Sequence, residues 1–135
     1  MKRKVERTEE EWREKLDPES FRVLRKAGTE RPFTGAYNLH FEDGVYSCKA
    51  CNEPLFSSET KYDHGCGWPS FYAPIDRDKI EYRLDKSHGM TRVEILCATC
   101  ESHLGHVFND GIGEKGERYC VNSASLDFED EGSTK

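Results

Sequence analysis

The stretch "TRVEILCATC", residues 91–100, runs from a β-branched, roughly alternating segment straight into a Cys-x-x-Cys pair. Alternation with a period of two is the mark of a strand with one buried face. Ending such a strand on two cysteines makes a tight knuckle that can offer two thiolates to one ion. A second copy comes earlier: "GVYSCKAC", residues 44–51, is again a strand-like run closed by a Cys-x-x-Cys pair. Cys48, Cys51, Cys97 and Cys100 therefore predict two knuckles at strand ends, brought together as a closed four-thiolate site for zinc or iron. A full tetrahedral shell leaves no open position, so such a metal clamps distant segments and does no chemistry. Paired structural thiols or disulfides are the plain alternative. A thioredoxin-like redox reading needs a βαβ pattern, and neither pair has one around it.

Working outward, "RYCVNSASLDF" (118–128) is also strand-like, and part of "IDRDKIEYRLDKSHG" (75–89) reads the same way. Prolines 32, 54, 69 and 74 and many glycines punctuate these runs. Residues 8–28 differ. Thr8 with Glu11 is a capping-box pattern. Asp17-Pro18 is a second N-cap followed by proline at the first helical position. Phe21 and Leu24 are expected to face a core, and Gly28 is a natural stop. The tail "EDEGSTK" (129–135) is charged and expected to fray. The expected architecture is a mainly β body with short N-terminal helices, in one domain of residues 1–135.

Length and composition bound the function. The chain has 135 residues, 34% charged and 35% hydrophobic, so its core is modest and gains from a metal clamp. A net charge of −6 argues against a nucleic-acid surface. No apolar run approaches the ~20 residues of a membrane span. The segment "MKRKVERTEEEWREKL" lacks the apolar core of a secretory signal, and its glutamates argue against a mitochondrial transit peptide. The expected location is the cytoplasm, where cysteines are more often ligands or catalysts than disulfides.

Two cysteines remain, Cys66 and Cys120. On a strand, Arg118, Cys120 and Asn122 share one face, while Tyr119 and Val121 point to the core. A guanidinium and an amide beside Cys120 favour the nucleophilic thiolate. A buried, inert thiol is the other reading. Cys66 lies in "HGCGWPSF" (64–71), between two glycines that free its backbone. His103 and His106, in "SHLGHVFNDG" (102–111), follow the second knuckle and can handle protons near neutral pH. His40, His64 and His88 are isolated and read as surface or loop. A zinc-ribbon binding module fits the knuckles but leaves Cys66, Cys120 and both histidines unexplained. The filled shell disfavours a zinc hydrolase.

Taken in order, "CKAC", "GCGWPSFY", "SHGMTRVEILCATC", "HLGHVF" and "GERYCVNSASLDF" resemble the B-type methionine sulfoxide reductases over roughly residues 8–130. That class restores one sulfoxide epimer of methionine. The resemblance implies two antiparallel β-sheets and reduction of methionine-R-sulfoxide in peptides and proteins. It implies that Cys120 attacks the sulfoxide sulfur and becomes a sulfenic acid. Cys66 then resolves this as a Cys66–Cys120 disulfide, and thioredoxin reduces it. Trp68 matches the wall for the substrate methyl group, with Phe71 and Arg118 expected beside it. His103, His106 and Asn122 match the polar groups around the sulfoxide oxygen, and either histidine could deliver the proton. Cys48, Cys51, Cys97 and Cys100 match the ligands of one structural zinc ion. Two departures are Ile112, where the family usually has proline, and His64, where it usually has serine.

Overall fold

The computed structural model describes residues 8–26, 28–31, 33–38, 40–63, 65–86, 89–111 and 116–130. His64, His88 and Ile112 lie outside them, as does the tail beyond residue 130.

The chain opens with α1 (Glu9–Lys15) and α2 (Pro18–Lys26). The Thr8 hydroxyl accepts the Glu11 N–H at 3.2 Å, and the Glu11 carboxylate accepts the Thr8 N–H at 2.8 Å, closing the expected capping box. Asp17 caps α2 by accepting the Ser20 N–H at 3.2 Å. Gly28 N–H closes onto the Arg22 carbonyl just past the helix. Phe21, Val23 and Leu24 are buried, and Trp12 of α1 lies beneath the Arg25 guanidinium. Arg25 also donates to the Cys100 carbonyl at 3.0 Å, which pins the helical arm to the second knuckle.

The rest is β. Strands β1 (Gly44–Cys48), β2 (Pro54–Ser57) and β9 (Leu126–Asp130) form a sheet in the order β2-β1-β9. Strands β3 (Lys61–Tyr62), β4 (Ser70–Phe71), β5 (Ile80–Asp85), β6 (Arg92–Cys97), β7 (His103–Phe108) and β8 (Arg118–Val121) form the second, ordered β3-β4-β8-β7-β6-β5. Every pairing is antiparallel. The expected two-sheet architecture is thus the observed one. The sheets meet through aromatic side chains: Phe56 of β2 stacks on Phe71 of β4 at 4.4 Å, and Tyr46 and Tyr119 complete the contact.

Two expectations change. Glu129 and Asp130 are not a frayed tail, because they pair with Val45 and Gly44 at the end of β9. His40 lies in a loop, one of the two places expected for it, but it is not isolated. Its ring packs edge-on against Phe128 and Tyr46, and it hydrogen-bonds the Tyr46 hydroxyl at 2.8 Å.

Candidate active site

The two knuckles are built alike. In each, the residue after the second cysteine, Asn52 or Glu101, takes a left-handed backbone conformation. Its N–H returns to the first cysteine's carbonyl at 2.7 Å. The turns aim the thiols inward: Cys48 Sγ lies 3.7 Å from Cys100 Sγ, and Cys51 Sγ 3.6 Å from Cys97 Sγ. All four sulfurs lie within 4.8 Å of one another. A tetrahedral ion with metal–sulfur bonds of ~2.3 Å sets sulfur–sulfur edges of ~3.8 Å, so the donor set fits a structural metal. Thiols this close cannot all ionise without a cation. Hydrogen bonding with Cys100 pushes the Cys51 thiol well up, while hydrogen bonding from Cys48 holds Cys100 well down.

A second thiol pair lies in the six-stranded sheet. Cys120 sits mid-sheet on β8, across from Ser70 of β4 and His106 of β7. Its Sγ is 3.8 Å from Cys66 Sγ. Cys66 comes from the loop before β4, where Gly65 and Gly67 have φ of 84° and 96°, a region L side chains rarely adopt. The Cys66 thiol also lies 3.4 Å from Ser70 Oγ.

Both thiols face a cavity of ≈170 Å³ lined also by Thr29, Trp68, Arg92, His106, Phe108, Arg118 and Asn122. It is small beside the ~300–1,000 Å³ of drug-sized pockets and suits a single side chain. Trp68 is fixed by its indole N–H, which donates to the Glu30 carbonyl at 3.0 Å. Arg118 is held by Asp110 and lies 4.5 Å above the Phe108 ring. His106 Nε2 is 2.8 Å from Asp85 Oδ2, which also holds Arg92 at 3.3 Å. Burial lowers the His106 pKa from its ordinary value, and the Asp85 hydrogen bond opposes this.

Not every expected residue reaches the cavity. Phe71 is fully buried between Phe56 and Tyr46 and does not line it. His103 is buried and does not line the cavity, with Nδ1 2.6 Å from Glu94 Oε2. Asn122 does line the cavity, but its amide is committed to the frame: Nδ2 donates to the Leu104 carbonyl and Oδ1 accepts the Glu30 N–H, both at 3.0 Å. The Cys120 thiol is not lowered as the neighbouring guanidinium suggests. Its hydrogen bond with Cys66, then burial, push its pKa well up, and Arg118 only partly offsets them. Sequence reasoning did not find Thr29, Ser70, Asp85, Arg92 or Glu94. Asp85 and Glu94 lie in or beside segments read as strand, but nothing local to them signals a histidine partner.

Residues 16–130 match the SelR domain. The chain is 60% identical over 125 residues to the peptide methionine sulfoxide reductase MsrB of Hahella chejuensis, covering 93% of this chain and 90% of that one. The chain belongs to the MsrB family. It is likewise 60% identical to the Pseudomonas fluorescens MsrB (93% and 95% covered) and 58% identical to that of Methylibium petroleiphilum (94% and 92%). The four-cysteine knuckles and the thiol cavity share no residue. Among the described residues, no helix is long and apolar enough to cross a membrane.

Proposed function

We propose that the protein reduces methionine-R-sulfoxide in peptides and proteins, acting as one domain over residues 1–135 with a working core of about 8–130. The observation that carries this reading is the 3.8 Å approach of Cys66 and Cys120 at the wall of a side-chain-sized cavity.

The chemistry follows from the groups around that pair. The sulfoxide oxygen is a poor leaving group until protonated, so a thiolate must meet sulfur while an acid meets oxygen. Cys120 is the nucleophile and passes its proton to His106, its partner across the β7–β8 pair; Arg118 favours the resulting charge. His106, which lines the cavity, protonates the oxygen. Oxygen passes to Cys120 as a sulfenic acid, and the thioether leaves as methionine. Trp68 supplies a flat apolar wall for the methyl group. The Cys66 thiol then attacks the sulfenic acid, a Cys66–Cys120 bond forms and water departs. Fast closure protects Cys120 from oxidation to sulfinic acid. A dithiol protein, thioredoxin, reduces the disulfide and restores both thiols, a cycle that suits the reducing cytoplasm. Cys48, Cys51, Cys97 and Cys100 hold one zinc ion, which ties β1 and its neighbours to the end of β6 and takes no part in turnover.

Replacing Cys120 by serine tests both sites at once. The variant should lose essentially all turnover and keep its full metal content. Retained turnover would remove Cys120 from the chemistry, and loss of metal would show that the two thiol sets are wrongly divided.

A further inference from the structure

Glu30 takes no part in the chemistry above, yet two side chains of the cavity wall and the turn after β8 meet at it. Its backbone carbonyl accepts the Trp68 indole N–H at 3.0 Å. Its backbone N–H donates to Asn122 Oδ1 at 3.0 Å. Its carboxylate accepts the Ala124 N–H at 2.9 Å, in the turn Ser123–Ser125 that follows β8. The residue before it, Thr29, lines the cavity.

A glutamate only 4% exposed is unusual and calls for a reason. Burial raises its pKa, against hydrogen bonds from Ala124 and Ser123. Gly35 leaves room for it, since a Cβ there would run into both the Glu30 carboxylate and the Ser123 hydroxyl. Residues 28–31 belong to no helix or strand, so no ladder of backbone bonds fixes this segment. The carboxylate supplies the anchor instead.

We propose that Glu30 is a positioning residue: its carboxylate, docked on the turn after β8, fixes the backbone groups that orient the Trp68 indole and the Asn122 amide. The inference rests on the reductase reading for its kinetic consequence alone. Positional errors of about an ångström cost up to ~100-fold in rate, so a loosened Trp68 should raise KM for a sulfoxide peptide about tenfold. Glu30→Ala removes the acceptor. Glu30→Gln keeps an acceptor oxygen for Ala124 and should restore the geometry.

The test pairs steady-state kinetics with the two indole N–H signals in a proton–nitrogen NMR spectrum. Glu30→Ala should raise KM about tenfold and shift the Trp68 signal, with faster hydrogen exchange. Trp12 is the internal control, because general loss of packing moves both signals. Glu30→Gln should match the wild type in both readouts. If Glu30→Ala does not fold, Glu30→Asp, one methylene short of Ala124, carries the same expectation. The proposal is overturned if the folded variant keeps both its KM and its Trp68 signal. It is equally overturned if Glu30→Gln behaves like Glu30→Ala. A wild-type protein without turnover would defeat the reductase reading, while the indole signals would still decide the role of Glu30.

Discussion

The His103 and His106 rings stand 5.7 Å apart, edge to face, although they lie three apart on one strand. On a regular strand such residues point to opposite faces. A bulge removes the conflict. The β6–β7 register passes from Ile95↔Gly105 to Leu96↔His103, which leaves Leu104 as an extra residue. Asn122 braces that bulge, since its backbone N–H and its Nδ2 both donate to the Leu104 carbonyl, at 2.9 and 3.0 Å.

Asn122→Ala should therefore act first on the frame. It removes two buried side-chain hydrogen bonds and leaves the Glu30 N–H unsatisfied, a cost of about 1–3 kcal/mol. Urea unfolding should show that loss, together with reduced turnover. Unchanged stability would mean that the bulge holds itself.

Asp85→Asn should change the pH profile. Burial already lowers the His106 pKa, the Asp85 hydrogen bond raises it, and the Arg92 charge lowers it. Without the carboxylate the pKa falls further, so fewer imidazolium groups remain at any given pH. The alkaline limb of kcat/KM should move to lower pH, and an NMR titration of His106 should move with it. Stability follows the same sign. Below pH ~6.5 the unfolded imidazole takes up a proton that the folded one resists, so stability falls as pH drops through the lowered pKa, more steeply in the variant. A His106 pKa that stays put or rises would contradict this account.

Phe71→Ala separates packing from substrate contact. The ring is fully buried against Phe56, so its loss should cost about 3–5 kcal/mol in chemical unfolding. KM per folded molecule should stay near the wild-type value. A raised KM with intact stability would return Phe71 to the cavity.

The knuckles and most strands were legible because their signals are local. Alternation and Cys-x-x-Cys spacing are each complete within ten residues, and so is the Thr8–Glu11 cap. Alternation also carried the β8 reading: Tyr119 and Val121 are buried in the core and Arg118 and Cys120 stand at the cavity, although Val121 also reaches its lining. The same rule would have excluded Phe71 once Ser70 was seen to face Cys66, but a two-residue strand after Pro69 gives too little pattern to use. The Leu104 bulge, the Asp85–His106 and Glu94–His103 pairs and the Glu30 anchor depend on register between strands and on contacts between segments distant in sequence. The Cys120 pKa depends on Cys66, which lies far away in the chain and is brought near only by folding.

The most direct test is turnover of the separated R and S epimers of a methionine sulfoxide peptide, with thioredoxin as reductant. The account predicts reduction of the R epimer alone, sustained over many cycles. No reduction of either epimer, even with a small dithiol in place of thioredoxin, would contradict it. Activity with the small dithiol alone would retain Cys120 and contradict the role given to Cys66.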